Sequence, residues 1–419
     1  MFASLASLPQ SVKQYLLITG NYWAFTLTDG ALRMLVVLYF HQLGYSPLSI
    51  AMLFLFYEIF GVVTNLIGGW LGARIGLNKT MQIGLVMQFL ALLMLVVPTE
   101  WLTVAWVMAA QALSGIAKDL NKMSAKSSIK TLVPKDAQGT LYKWVAILTG
   151  SKNTLKGVGF FLGGLLLTVL GFQYAILTMA AGLFIVVVLS SILLKGDIGK
   201  AKSKPKFRDI FSKNASLNYL AAARMCLFAA RDVWFVVAIP VYFVSQLGWA
   251  HHNVGTFMAL WVIGYGAVQA STPKLVKVKG HSGHKVAALW GGVLALVGGL
   301  IYFCLTLHDG ASSQGMQQSL LLSMDIETLL VGGLLIFGVV FAVNSAVHSY
   351  LIVAMASDDG VSMDVGFYYM ANALGRLIGT VFSGYVYQQH GLAACLLTST
   401  ILAAMAALLI LKVKVKGQS

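Results

Sequence analysis

The stretch Gly69-Trp70-Leu71-Gly72-Ala73-Arg74-Ile75-Gly76-Leu77-Asn78-Lys79 is a short turn, rich in glycine and basic residues, between two long apolar segments. The segment before it runs from Leu48 to Ala73, and the segment after it from Thr80 to Val97. A helix needs roughly 20 apolar residues to cross the hydrocarbon core of a bilayer. Each segment is long enough to do so, and the turn therefore predicts a short loop at one membrane surface.

The same alternation of apolar segments and short polar breaks extends over the whole chain. Of the 419 residues, 58% are hydrophobic and 10% are charged, whereas about a quarter of the residues in soluble proteins are charged. The pattern predicts an all-α integral membrane protein with twelve transmembrane helices. The predicted spans are Tyr15–Phe40, Leu48–Ala73, Thr80–Val97, Trp101–Lys122, Leu141–Leu170, Phe172–Leu194, Leu217–Leu247, Val254–Ser271, Val286–Leu307, Leu329–Ala356, Val365–Gln388 and Leu392–Leu411.

The formal net charge of +15 has a simple topological explanation. If the N-terminus is cytoplasmic, every Lys and Arg outside the spans falls on the cytoplasmic side, as the positive-inside rule requires. Residues 1–14 lack the features of a signal peptide, so we expect both termini in the cytoplasm. No loop interleaves basic residues with base-stacking aromatics, which excludes nucleic acid as an expected partner.

The longest basic loop, Lys195–Lys213, lies near the midpoint of the chain and separates six spans from six. The stretch Tyr39–Tyr45, after the first span, recurs as Tyr242–Trp249 after the seventh. Two parallel six-span repeats with a substrate site near the membrane midplane are typical of one class of secondary transporters. We therefore expect pseudo-symmetric halves: an N-terminal bundle at 1–194, a cytoplasmic linker at 195–216 and a C-terminal bundle at 217–419.

The turn after span two resembles the loop motif of the major facilitator superfamily. In that motif Gly, three residues, an acid, a base, one residue, Gly and then basic residues form a cytoplasmic turn. Gly69, Arg74, Gly76 and Lys79 match, whereas Ala73 stands where the family usually has Asp. The resemblance implies the fold of that superfamily and a gating or topological role for the four matching residues, of which Arg74 and Lys79 are not expected to contact substrate.

Charged side chains also occur inside the predicted spans, where each costs about 2.5 to 3.5 kcal/mol at the bilayer centre. Basic residues outnumber acidic ones there, and a bound anion would neutralise the surplus. The planar fork of arginine matches phosphate, arsenate or carboxylate oxygens. The sequence thus predicts a small, multiply charged oxyanion as substrate, contacted by Arg33, Lys118, Lys152, Asn153, Lys156, Arg231, Asn372 and Arg376.

Three acids inside the spans, Asp29, Glu58 and Asp232, are candidates for a proton-coupling role. Asp29 and Arg33 are spaced i, i+4 and can pair on one helix face, either for function or only as a structural ion pair. Arg231 and Asp232 are sequence neighbours, and we expect them to serve different partners.

Two further groups have a topological interpretation. Arg224 is close enough to the end of its span to reach the cytoplasmic surface with its charged head. Lys118, Lys122, Lys126 and Lys130 recur every four residues and are expected to extend span four into the cytoplasm. Lys118, the deepest of them, is the one expected in a vestibule that attracts an anion.

Motifs of enzymes and metal sites are absent from the sequence. It contains no HExxH, GxSxG, Walker or strand-linked GxGxxG motif, and its three cysteines form no CxxC pair. His281 and His284 lie in a lysine-rich loop without acidic or thiol co-ligands. We therefore expect no enzyme, no cofactor and no metal site, although a membrane sensor that transports nothing stays an alternative.

Four stretches resemble the bacterial organoarsenical efflux permeases called ArsJ: Asn21–Arg33 (NYWAFTLTDGALR), Ser114–Lys126 (SGIAKDLNKMSAK), Gly150–Gly157 (GSKNTLKG) and Ala371–Arg376 (ANALGR). The resemblance implies a bacterial inner-membrane protein that exports 1-arseno-3-phosphoglycerate, which a glyceraldehyde-3-phosphate dehydrogenase makes from arsenate. Outside the cell the ester falls apart, so export implies arsenate resistance. The charge pattern alone leads only to an oxyanion transporter, with an organophosphate or phosphate antiporter as the alternative.

Overall fold

The computed structural model describes residues 9–45, 53–134, 136–194, 196, 198–202, 206, 214–249, 251–278, 282–314 and 325–414, of which 41, 251–252 and 309–314 are described by backbone only. These residues form α-helices and one 3₁₀-helix, Thr99–Trp101, and contain no strand. The helices are α1 Gln10–Gln42, α2 Leu55–Ile75, α3 Leu77–Met94, α4 Val104–Leu132, α5 Gln138–Leu193, α6 Ala215–Phe235, α7 Ala238–Ser245, α8 His251–Leu275, α9 Gly283–Gln314, α10 Ile326–Met355 and α11 Val361–Leu411.

The helices confirm the predicted all-α membrane fold. Among the described residues, nine helical segments are long and apolar enough to cross a membrane. Two of them, α5 and α11, each contain two predicted spans, because the chain turns at Gly171 (φ 72°, ψ 175°) and Gly391 (φ 73°, ψ −173°). Only glycine adopts this backbone region readily. Helix α4 is more polar than these nine segments and occupies the position of span four. Helices thus occupy the positions of all twelve predicted spans. The start of span two and most of the predicted linker 195–216 lie outside the described residues.

Two predicted spans show more detail in the structure. Span four was predicted to end at Lys122 with an extension through Lys130, and α4 continues to Leu132. The position of span seven is covered by one apolar segment, Ala215–Ser245, in which a turn at residues 236–237 separates α6 from α7. Side-chain oxygens cap the starts of α4 and α6, since Thr103 Oγ1 accepts a hydrogen bond from the Trp106 N–H, and Asn214 Oδ1 accepts one from the Ser216 N–H.

The chain forms two compact units. The first contains Met1–Lys213 together with Ile352–Met370, and the second contains Asn214–Leu351 together with Ala371–Ser419. The functional division at the linker 195–216 stays a prediction, and each unit is described by itself.

In the first unit, small residues let the helices approach closely. A Cβ atom added at Gly159 of α5 would lie 2.8 Å from the Leu27 carbonyl oxygen of α1, and one at Gly115 of α4 would lie 2.7 Å from the Tyr57 carbonyl oxygen of α2. Helix α4 also contacts α1 and α3. Its polar residues are therefore buried inside the unit, which explains why α4 is less apolar than a lipid-facing helix.

In the second unit, the core is built around Trp234 of α6, which is fully buried. Its ring meets Phe337 edge-on at 5.1 Å and Trp261 at 6.0 Å. Such aromatic pairs add to the free energy of burial. Ser399 donates a hydrogen bond of 2.6 Å to the Ala230 carbonyl, which fixes the second arm of α11 against α6.

The internal repeat predicted from the sequence has matching backbone geometry. After α1, Gly44 has a φ of 85° and the Tyr45 N–H donates to the Phe40 carbonyl. After α7, Gly248 has a φ of 69° and the Trp249 N–H donates to the Phe243 carbonyl. In both turns a glycine with positive φ follows the helix, two residues after α1 ends and three residues after α7 ends, so the turn after α7 is one residue longer.

Candidate functional site

The first group of charged residues joins α1 to α2. Arg33 Nη2 lies 3.3 Å from Glu58 Oε1, and the guanidinium carbon is 4.9 Å from the Phe54 ring centroid. Asp29 is buried and accepts a 2.7 Å hydrogen bond from the Tyr57 hydroxyl. The ion pair expected between Asp29 and Arg33 is therefore replaced by two contacts across helices, because α2 offers each side chain a closer partner.

The second group centres on Asp119, whose side chain is only 1% exposed. Its Oδ1 lies 2.5 Å from Lys122 Nζ, and its Oδ2 lies 3.9 Å from Lys118 Nζ. Lys118 Nζ is also 3.7 Å from the Tyr57 ring centroid. Gly61 leaves room for this group, since a Cβ there would be 3.0 Å from Asp119 Oδ2. Two partly buried ammonium groups thus share one buried carboxylate.

Sequence reasoning did not include Asp119 among the acids within the spans. It lies near the predicted end of span four, where charges are unremarkable. The i, i+3 spacing between Asp119 and Lys122 is a signal that could have indicated the pair. Lys122, Lys126 and Lys130 lie on a helical extension of span four, as predicted, but Lys126 is buried within the unit and the other two are mostly buried. The position of this extension in the cytoplasm stays a prediction.

The third group lies on α5. Lys152, Asn153 and Lys156 are partly buried, and Lys156 Nζ is 5.9 Å from the Phe160 ring centroid. A Cβ added at Gly30 would lie 2.8 Å from the Lys156 carbonyl oxygen. Gly30 adjoins Asp29 in the chain. The helix crossing therefore lies at Asp29 on α1 and at Lys156 on α5.

In the second unit, a buried carboxylate again meets two cations. Asp232 is 1% exposed, and its Oδ1 lies 2.5 Å from both Nε and Nη2 of Arg231. Arg376 Nε lies 3.5 Å from Asp232 Oδ2. The prediction that Arg231 and Asp232 serve different partners is therefore wrong. The guanidinium folds back onto its neighbour and lies 5.0 Å from the Phe228 ring centroid.

Arg224 does not extend to the surface as predicted, since only 2% of the residue is exposed. Its Nε donates to Asn372 Oδ1 at 2.9 Å, its Nη1 donates to the Ser345 carbonyl at 3.0 Å and to Ser345 Oγ at 3.1 Å, and its Nη2 lies 3.4 Å from Ser349 Oγ. The guanidinium lies 4.1 Å from the Phe228 ring centroid. These oxygens hold the arginine in the interior and place Asn372 beside it.

Two glycines bring α11 onto α6. A Cβ added at Gly379 would lie 2.8 Å from Asp232 Cβ, and one at Gly375 would overlap the Met225 backbone. Without this close approach, Asn372 and Arg376 could not reach the polar groups of α6. Small residues at such positions are typical of closely packed membrane helices.

The predicted gating and topology residues surround the turn between α2 and α3. Gly76 has a φ of 97°, which favours glycine. Gly69 accepts a 2.7 Å hydrogen bond from Ser362 Oγ. Arg74 and Lys79 are exposed, and together with Lys200 they line a cavity of about 740 Å³. Their role in gating or topology stays a prediction.

Apolar helices long enough to cross a membrane, with cations clustered in their interior, are typical of a helical membrane transporter. The chain matches the Major Facilitator Superfamily over residues 18–316, and it belongs to that superfamily. Its members are transporters and generally not enzymes, in agreement with the absence of enzyme motifs from the sequence. No curated protein sequence matches the chain.

Solved structures share the fold at low sequence identity. The human organic anion transporter MFSD10 is 16% identical with a TM-score of 0.74, and the match covers 96% of this chain and 100% of that one. A bacterial homologue of the iron transporter ferroportin is 14% identical with a TM-score of 0.73 over 95% and 98% of the two chains. The fucose:proton symporter of E. coli is 10% identical with a TM-score of 0.71 over 97% and 100%.

Proposed function

We propose that this protein is a secondary transporter of a multiply charged oxyanion. The observation that supports the proposal is that two cations share one buried carboxylate in each unit, at Asp119 and at Asp232. One carboxylate balances one of the two positive charges. The second charge is costly in a low-dielectric interior, and a bound anion would stabilise it.

The substrate we propose is 1-arseno-3-phosphoglycerate, exported across a bacterial inner membrane and so giving arsenate resistance. The support is the resemblance to the organoarsenical permeases, whose stretches in this chain include Lys118, Lys152, Lys156 and Arg376. The ester carries an arsenate group and a phosphate group and no positive charge. A glyceraldehyde-3-phosphate dehydrogenase is then the functional partner that supplies it.

The proposed roles follow from the chemistry of the side chains. Arg33, Arg231 and Arg376 present planar forks that suit phosphate and arsenate oxygens, while Asn153 and Asn372 add neutral donors. A bound anion would add a second negative partner for the cations beside each buried carboxylate. Alternating access of the two predicted bundles, 1–194 and 217–419, would then release the anion on the other side, with both termini cytoplasmic.

Proton coupling is proposed for Asp29, with Glu58 and Asp232 as further candidates. The Asp29 carboxylate contacts a neutral hydroxyl, that of Tyr57, whereas Glu58 and Asp232 contact arginines. Asp29 can therefore gain a proton without separating an ion pair. Uptake that stays unchanged in Asp29→Asn and in Glu58→Gln would exclude both residues from coupling.

Transport can be tested with everted membrane vesicles. Arsenate, glyceraldehyde 3-phosphate, NAD and the dehydrogenase are supplied outside, and arsenic inside the vesicles is measured. We expect accumulation that requires the complete mixture and that the double variant Lys152→Ala with Lys156→Ala abolishes. Lys143→Ala is the matched control, because Lys143 is an exposed lysine of the same helix, and it should accumulate arsenic like the wild type.

Three other outcomes would contradict the proposed substrate. Accumulation from arsenate alone would indicate transport of the inorganic oxyanion. Exchange of internal phosphate for an external phosphate ester would favour the antiporter alternative. If purified wild-type protein in liposomes moves none of these anions, the transport proposal itself is wrong and a membrane sensor is the better interpretation.

A further inference from the structure

Four lysines form a ladder along α4 that turns around the helix by about 40° at each four-residue step: Lys118, Lys122, Lys126 and Lys130. Residues four apart lie one above the other on a helix, and the ladder extends for about 18 Å at 1.5 Å per residue. That is more than half of the roughly 30 Å of hydrocarbon in a bilayer. Helix α4 carries one acidic residue, Asp119, against these four lysines.

The two inner lysines, Lys118 and Lys122, contact Asp119 as described above. The two outer lysines contact the segment Ile352–Met370, which belongs to the same unit. Lys126 is 3% exposed, donates to the Tyr369 hydroxyl and lies 4.6 Å from its ring centroid. Lys130 donates to the Ala354 carbonyl at 2.8 Å, and its Nζ lies 4.0 Å from Oδ1 of Asp358, whose side chain is 59% exposed.

These outer contacts are of a kind that an oxyanion can replace. A lysine that donates to a phosphate or carboxylate makes a charge-assisted hydrogen bond, which is roughly twice as strong as a neutral one. A tyrosine hydroxyl and a backbone carbonyl are weaker acceptors than an anion, and the Asp358 carboxylate near Lys130 is exposed to solvent and, at 4.0 Å, beyond hydrogen-bond distance. Burial of Lys126 raises this difference further, because electrostatic interactions are stronger away from water.

We propose that Lys118, Lys122, Lys126 and Lys130 form an anion track, a second binding site for phosphate, arsenate or carboxylate groups that leads from the Ala354 end of the unit to Asp119. The proposal rests on the proposed function, since it gives the oxyanion a path along the first unit. In the structure, Tyr369 and the Ala354 carbonyl contact the outer lysines and cover the track. The competing interpretation is that these lysines only fasten residues 352–370 to α4.

Thiol labelling can test the track directly. In a background with Cys226, Cys304 and Cys395 replaced by serine, Lys126→Cys is treated with an anionic sulfonate-bearing methanethiosulfonate or a cationic ammonium-bearing one. Each rate is divided by the rate of the same reagent with a free thiol in solution. We expect this normalised rate to be about ten times higher for the anionic reagent than for the cationic one, because three lysines remain to attract the anion. Inorganic phosphate or arsenate should slow the reaction. Ser124→Cys, buried on α4 but off the ladder, is the control and should not react.

Transport kinetics provide the second test. In proteoliposomes, Lys126→Gln should raise the KM for the oxyanion about tenfold, which is the low end for loss of a charge-assisted hydrogen bond, and Lys126→Arg should restore it. Lys143→Gln should leave the KM unchanged. A structural fastening alone predicts lower thermal stability for Lys126→Gln with an unchanged KM.

The two proposals fail in different ways. If the wild type moves the oxyanion, but the KM of Lys126→Gln is unchanged and phosphate does not protect Lys126→Cys, the track is wrong while the transport function stands. If phosphate protects Lys126→Cys, but the wild type moves no oxyanion, the binding track stands and the transport function is wrong.

Discussion

Replacement of Asp232 by asparagine tests the charge balance of the second unit. The substitution preserves the size of the side chain and one carbonyl oxygen, but it removes the negative charge that Arg231 and Arg376 share. Two guanidinium groups would then face each other around a neutral amide. We expect Asp232→Asn to destabilise the protein, because buried cations lose the partner that stabilises them.

The magnitude follows from the burial of the three groups. Removal of one partner from a buried ion pair typically costs about 3 to 5 kcal/mol. Asp232 is fully buried, whereas the Arg376 side chain is 35% exposed and can turn toward water. We therefore expect the lower end, about 3 kcal/mol. The second substitution Arg376→Gln should recover part of this loss, since it removes one of the two positive charges that face the neutral amide.

The assay is thermal unfolding of the purified protein, followed by tryptophan fluorescence, with Asp325→Asn as an exposed control. 3-Phosphoglycerate should raise the unfolding midpoint of Asp232→Asn more than that of the wild type. If the variant binds 3-phosphoglycerate ten times more tightly than the wild type does, the saturating ligand stabilises the variant by about 1.4 kcal/mol more. An unchanged midpoint for Asp232→Asn, or an additive effect of Arg376→Gln, would refute the shared-carboxylate argument.

Two glycine substitutions give further predictions. Gly61→Ala should destabilise the protein by about 1 to 3 kcal/mol through overpacking, because the added methyl group would lie 3.0 Å from Asp119 Oδ2. Gly20→Ala is the control and should not destabilise the protein, because a methyl group there would have no neighbour within 4 Å. Gly171→Ala should cost about 1 to 3 kcal/mol of backbone strain at φ 72° and ψ 175°. Gly182→Ala on the same helix is its control, and thermal unfolding of each pair would contradict the reasoning if both members behaved alike.

The membrane spans could be predicted from the sequence because the length of an apolar segment is a local property. The burial of the end of α4 could not. The lysine spacing predicts an extension of span four, yet Lys126 on that extension is buried against Tyr369, which is 243 residues away in the chain. The sequence gives no local signal for this contact. A polar helix end is solvated or buried according to its tertiary partners, and periodicity does not reveal them.

The candidate site shows the same limit at the level of side chains. An i, i+4 spacing shows that Asp29 and Arg33 can meet, but it does not rank that pair against partners on α2. Two residues of α2 that are adjacent in sequence provide these partners: Tyr57 donates a hydrogen bond to Asp29, and Glu58 forms an ion pair with Arg33. The sequence identified the residue types that bind oxyanions, whereas the choice among partners depends on how closely the glycines let neighbouring helices approach.

Arg231 and Asp232 show why an inference from the number of charges does not depend on an inference about which side chains pair. Neighbouring residues on a helix point in directions about 100° apart, which argued for separate partners. The long arginine side chain spans that angle and places its fork on Asp232 Oδ1. Arg376 contacts the other oxygen of Asp232. The carboxylate therefore has two cationic partners, although the two arginines approach it from different positions. The surplus of positive charge depends on the number of groups and their burial, and so the sequence could indicate an anion before the contacts were known.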